Sequence, residues 1–190
     1  MKIIILTFIL ILTSCKPSDL TKTEDKKSSP INAKWKQFPV MITLPLLKKG
    51  KIEHAVTNSV KQWNDALGFT AFVVEYENYD DSTPIKTDKN RVFFHKYYNQ
   101  NESQAFARNY MTPVDYEIVH SDIIFDDRGD WETDYDFETA FTHQLGHVLG
   151  VKHKAYGEDR HSVMNPLSYY AILYSVLTDG DINFIRAYYH

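Results

Sequence analysis

His143-Gln144-Leu145-Gly146-His147-Val148-Leu149-Gly150-Val151-Lys152-His153 is the stretch that decides how this chain is read. On an α-helix, residues i and i+4 stack on one face about 6 Å apart, so His143 and His147 can aim two imidazole nitrogens at one metal ion. A helix face cannot close around an ion, so a third ligand has to come from outside it. Gly150 is placed to end the helix in a left-handed conformation that other residues resist, turning the chain back so that His153 reaches the same ion. Three neutral imidazoles leave the fourth tetrahedral position to water, the open coordination of a catalytic zinc rather than a structural one. A bare HxxxH pair is ordinarily a surface or packed pair; the turn glycine and the third histidine set this one apart. His54, His95, His120, His161 and His190 have no such context, and surface or packing roles are expected for them.

Together with the later Ser162-Val163-Met164-Asn165-Pro166, the stretch resembles the metzincin pattern HExxHxxGxxH and its Met-turn, except that Gln144 stands where the pattern has Glu. The resemblance implies one zinc ion held by His143, His147 and His153, with Met164 as an apolar floor beneath it. Other segments extend the likeness. Ile52, Val56, Val60, Trp63 and Leu67 recur at helical spacing around Gln62-Trp63-Asn64. Phe69 to Glu75 and Arg91 to Tyr98 read as strands. His120-Ser121-Asp122-Ile123-Ile124-Phe125 resembles the strand that precedes the active-site helix, which is expected over Phe137–Leu149 with Asp136 as its N-cap. Leu177 to Tyr189 is similar to the closing helix of matrixins. From roughly Trp35 to Tyr189 the chain is therefore identified as a matrixin-like member of the metzincins. That implies an α+β zincin domain: a twisted mixed sheet with a long helix, an active-site helix, a Met-turn and a C-terminal helix. The chain departs from the family after His153, where Lys154 stands in place of the usual Ser, and it lacks a histidine-rich loop for a second zinc. One metal of this kind is expected.

Gln144 bears on mechanism. In an active metzincin the Glu at this position takes a proton from the zinc-bound water and hands it to the leaving amine. A Gln is nearly isosteric, so fold and metal binding should survive, and its oxygen can still orient water, but it holds no proton at neutral pH. Glu138, Glu158 and Asp159 are the nearest substitutes by sequence. Three readings follow: a metalloendopeptidase-like protein whose hydrolysis of peptide bonds is weak or lost, a zinc-binding pseudoprotease that binds peptide or protein, and a domain in which zinc is merely structural. A bound peptide is expected to lie extended along an edge strand near Asp122–Phe125. Its side chains would meet a pocket shaped by the segment after Met164, including Tyr169 and Tyr170.

Ahead of the domain, Met1-Lys2 and the apolar run Ile3 to Leu12 end in Leu12-Thr13-Ser14-Cys15, which resembles the lipobox of bacterial lipoproteins. The resemblance implies a signal peptide over residues 1–14, a lipidated Cys15, and attachment to the bacterial envelope outside the cytoplasm. An ordinary signal peptide with an incidental cysteine is the other reading. Residues 15–34 are polar and Lys- and Ser-rich, a flexible tether ahead of a domain over 35–190. Cys15 is the only cysteine, which excludes an internal disulfide. A net charge of −4 with no basic patch argues against nucleic acid as a partner. Asp126, Asp127, Asp130, Glu132, Asp134 and Asp136 make an acidic run that reads either as a solvated loop or as a Ca²⁺ site.

Overall fold

A computed structural model describes residues 9–14, 33–96, 105–112, 114–127, 131, 134–154, 161–165 and 175–190. The strands are β1 (Ile9–Ser14), β2 (Val40–Pro45), β3 (Phe72–Glu77), β4 (Asn90–His95), β5 (Ala105–Met111) and β6 (Ile118–Asp126). The helices are α1 (Lys49–Leu67), α2 (Asp134–Val148) and α3 (Asp179–Tyr189). One mixed sheet has the order β1-β5-β6-β4-β2-β3. Within it β6, β4, β2 and β3 are mutually parallel, and β5 is antiparallel to both β6 and β1.

Alternation along the strands separates two faces. Val92, Phe94, Ala105, Ala107, Ile123 and Phe125 join the core against the helices. Helix α1 meets them with Ile52, Ala55, Val56, Trp63, Ala66 and Leu67, all buried at helical spacing. Helix α2 adds Phe137, Ala140, Phe141, Leu145 and Val148. Phe125, Phe137 and Phe141 stack at centroid distances of 4.9 and 5.4 Å, so the last strand and the helix that follows it are locked together by aromatic contact.

Several expected boundaries shift. The strand expected from Phe69 begins at Phe72. Gly68 ends α1 with φ 77°, and the Asn64 side chain takes the N–H groups of Ala71 and Phe72 at 2.9 and 2.8 Å, so the intervening residues are committed to the turn. Phe69 packs instead against Phe38, edge to face. The strand from Arg91 starts at Asn90 and ends at His95; Tyr97 and Tyr98 lie outside the described residues. Helix α2 begins at Asp134, which puts Asp136 inside the first turn rather than ahead of it. Aspartate is favoured at either position, close to the positive end of the helix. Strands β1, β2 and β5 are additional to those read from the sequence. Ahead of the expected domain start, Ala33 is buried and Lys34 pairs with Glu117 in an isolated bridge.

The end of α2 is bonded to several distant segments. Gly150 has φ 85°; its N–H donates to His147 O at 2.9 Å and the Val151 N–H to Gly146 O at 3.0 Å, the paired bonds of a Schellman turn. The terminal carbonyls of the helix are taken by side chains from distant segments. Asn109 donates to His147 O at 2.6 Å, Trp35 to Val148 O at 2.8 Å, and Tyr189 to Leu149 O at 2.8 Å. A Cβ on Gly150 would lie 2.1 Å from Ala33 O, whereas one on Gly68 meets nothing within 4 Å.

The two left-handed glycines should therefore respond differently to alanine. Gly68→Ala carries only the conformational cost, about 1–2 kcal/mol. Gly150→Ala adds the collision with the Ala33 carbonyl and should lose at least about 1 kcal/mol more. Chemical denaturation of the two variants checks the difference; equal losses would contradict a close approach of Ala33 to Gly150.

Candidate metal centre

Helix α2 presents His143 and His147 on one face, and the turn at Gly150 returns the chain so that His153 meets them. His153 Nε2 is 3.1 Å from His143 Nε2 and 3.0 Å from His147 Nε2. Two nitrogens on a tetrahedral zinc at bonds of about 2.05 Å stand about 3.3 Å apart, so the spacing fits the ion. The other ring nitrogens are held from behind. His143 Nδ1 faces Val163 O at 2.6 Å and His147 Nδ1 faces Val151 O at 2.8 Å. Each carbonyl can accept only from an Nδ1–H, which leaves the Nε2 lone pairs directed at one another. Two such acceptors converging with the His153 nitrogen suit a cation. Among the described residues this is the metal-ligand cluster of the chain.

Burial keeps these imidazoles neutral. Loss of solvent pushes His143 down to about 3 and His147 well below the ordinary value of 6.5, in both cases helped by the neighbouring histidines. Burial likewise brings His153 down to about 4. Proton competition for the ligand nitrogens is therefore weak at neutral pH.

The Met-turn lies under the helix. A Cβ on Gly146 would stand 2.3 Å from Met164 Sδ and 3.0 Å from Trp63 Cζ2, so the glycine between the two helical histidines is what lets Met164 come so close. The turn is fastened to α3 by Asp181, a residue that sequence reasoning passed over. Asp181 accepts from Ser162 Oγ and, at 3.1 Å, from Val163 N–H; it pairs with Lys154 Nζ at 3.0 Å and forms a capping box with Thr178. Hydrogen bonds and Lys154 hold its carboxyl below the usual range, against the effect of burial. The Thr-x-x-Asp spacing of the box was the signal that marked it. Lys154, the departure after His153, thus has a structural partner. Asn109 was also missed: it accepts from Ser121 Oγ at 2.5 Å while donating to His147 O. Nothing in the local sequence of β5 announces that role.

Gln144 is 1 % exposed, and its Nε2 donates to Ala105 O at 3.1 Å at the start of β5. Its Oε1 is buried with no hydrogen-bond partner among the described residues. An orphaned acceptor one residue from His143 fits the proton of a metal-bound water. The Glu138 carboxylate is turned toward α1, where it accepts from Asn58 at 3.1 Å. Glu158, Asp159, Tyr169, Tyr170 and Cys15 lie outside the described residues. Of the acidic run, Asp126 is buried and its carbonyl accepts from Trp131 Nε1 at 2.6 Å, whereas Asp130 and Glu132 are outside the described residues.

The expected peptide-binding edge needs correcting. Asp122–Phe125 belongs to β6, which is flanked by β5 and β4 and has no free edge. The parallel pairing of β6 with β4 is long-range and leaves no mark on the local sequence. The strand on the outer side is β5, and β1 lies against it.

The family described as Matrixin matches the chain over residues 32–190. No curated protein matches it.

The depressed histidines set the pH response of the metal-free chain. Between about pH 4 and 6.5 the unfolded chain binds protons that the folded chain refuses. Stability should rise with pH through that window and fall as the solution is acidified. Denaturant melts of chelator-treated protein from pH 4 to 7 test this. A flat profile, or one that rises on acidification, would contradict the burial of the triad.

Proposed function

The chain belongs to the matrixin family, and on that premise we propose that it is a zinc-dependent, metalloendopeptidase-like lipoprotein of the bacterial envelope, with hydrolysis of peptide bonds weak or lost at Gln144. The convergence of three Nε2 atoms from His143, His147 and His153 carries the metallopeptidase part of this reading. Zinc held there supplies a Lewis acid and a water of lowered pKa. The chain's own residues do the rest. Val163 O and Val151 O hold two ligands in the metal-binding tautomer, and burial excludes bulk water from behind them. Gln144 can orient a water through Oε1, but an amide takes no proton at neutral pH. Loss of a general base costs on the order of 10²–10⁴ in rate, about 3–5 kcal/mol of barrier.

A second reading, a zinc-binding pseudoprotease that holds peptide or protein ligands, is favoured by the bond from Gln144 Nε2 to Ala105 O. A carboxylate has no donor to make that bond, so the site as built accommodates the amide. The paired experiment compares the chain with Gln144→Glu for zinc content, peptide cleavage and peptide binding. With zinc content unchanged, a rise in cleavage of about 10²-fold or more supports the endopeptidase reading. Binding of peptide by both proteins with cleavage by neither supports the pseudoprotease. Binding by neither leaves zinc a structural role and removes both.

The lipoprotein part rests on Leu12-Thr13-Ser14-Cys15 after an apolar run. No helix among the described residues is long and apolar enough to cross a membrane. Attachment would come from lipid on Cys15, and removal of residues 1–14 would take β1 away and expose the outer edge of β5. Cys15→Ser should release the protein from the envelope fraction or block its maturation. Unchanged fractionation with an unmodified N-terminal mass would leave an ordinary signal peptide.

A further inference from the structure

The sheet face turned away from the helices carries a row of charge that the histidine centre does not use. Arg108 on β5 stands opposite Asp122 on β6, and the backbone N–H of Arg91 on β4 donates to Asp122 Oδ1 at 3.2 Å. Neighbours along the strands, Val92, Ile123 and Ala107, belong to the core on the helix side, so Arg91, Asp122 and Arg108 share the opposite face. With strands about 4.8 Å apart, the two arginine backbones are separated by roughly 10 Å across β6. The next pair along is Tyr110 and His120, with rings 5.0 Å apart, and Lys86 Nζ sits 4.7 Å above the Tyr110 ring. Arg91 lies 4.7 Å over the ring of Tyr79.

Asp122 offsets only one of the two arginine charges in this row. Its Oδ1 takes the Arg91 backbone N–H and lies 3.0 Å from His120 Nε2. Among the described residues neither guanidinium has an ion-pair partner, and Nε of both Arg91 and Arg108 is buried without a hydrogen-bond partner. Two fixed positive charges therefore flank one carboxylate, and each keeps a donor that no described protein group accepts. Buried donors in this state call for an acceptor from outside the chain.

We propose that Arg91 and Arg108 form the two sides of an oxyanion site that takes a phosphate-type dianion. A guanidinium fork offers parallel N–H donors, and a carboxylate is satisfied by one fork. A tetrahedral dianion has oxygens for two forks, and the row keeps a net positive charge to attract it once Asp122 is counted. Asp122 opposes any anion, so the site depends on both arginines together. The phosphate is either a free ion or the headgroup of a lipid; the chemistry of recognition is the same. The site is separate from the zinc centre, and its fate is independent of whether peptide bonds are cleaved.

The test is calorimetric titration of the full zinc-loaded chain with inorganic phosphate at constant ionic strength. Arg91→Gln and Arg108→Gln should each weaken binding by about tenfold or more, while Arg91→Lys, which keeps charge but loses the fork, should weaken it less. His147→Ala should leave phosphate binding unchanged, which separates this site from the metal centre. Thermal melts followed by circular dichroism establish that the variants are folded, and the lysine variant keeps the test decisive if a glutamine variant is not. A Cys15→Ser chain added to phosphatidylcholine vesicles with and without phosphatidic acid distinguishes the sources. Arginine-dependent vesicle binding assigns a lipid phosphate, and binding of the free ion alone assigns a soluble one. Absence of phosphate binding, or binding that survives the double variant Arg91→Gln/Arg108→Gln, overturns the proposal.

Discussion

The carbonyl oxygen of Ala33 occupies the place where any residue but glycine at position 150 would put its Cβ. That contact and the left-handed backbone at Gly150 end α2 where it must end for His153 to face His143 and His147. The same turn gathers the two ends of the domain. Trp35 and Tyr189 bond to successive carbonyls of the helix terminus, and Tyr188 bonds to Ala33 O at 3.0 Å. A helix end normally leaves its last carbonyls to water. In this chain β5, the segment before β2 and α3 each supply a donor, so the ligand helix is clamped from three directions.

A second line of bonds reaches the ligands from the other side. Thr178 and Asp181 cap α3; Asp181 fastens Ser162 and the Val163 N–H; and Val163 O receives His143. The orientation of one imidazole is thereby tied to the start of the last helix. Because the Met164 side chain fills the space left by Gly146, the floor under the site is set by the absence of a side chain in α2. Neutral, buried imidazoles and a fully bonded support explain how a centre with Gln144 in place of an acid retains its geometry: neither depends on that residue's charge.

The features legible in the sequence are those with a local signature. Histidine spacing, the turn glycine and the periodic face of α1 depend on residues a few positions apart, and each is found where its spacing puts it. Strand order is different. That β6 lies inside the sheet follows from pairing with β4 and β5 across the chain, and Asp122–Phe125 reads the same on an edge or in the middle. Strand β5, with Arg108 and Asn109 in its centre, has little apolar alternation because one face meets the core only through the small Ala105 and Ala107 while the other carries Phe106, Arg108 and Tyr110. The roles of Asn109 and Asp181 are invisible for a related reason: their partners are 38 and 18–19 residues away. Phe69 shows a local preference overruled, since its ring is engaged by Phe38 after the Asn64 side chain has fixed where β3 starts.

The meeting of both ends of the domain behind the zinc-type helix has a mechanical meaning. With residues 1–14 removed, tension applied to the chain ahead of the domain would enter at Ala33–Trp35, and the first contacts to bear it would be the carbonyl against Gly150 and the indole on Val148 O. Those are the contacts that hold the turn aiming His153. Load would reach the third ligand before it reached the interior of the sheet, so a pull on the leading segment acts as a lever on the coordination geometry while the core stays intact.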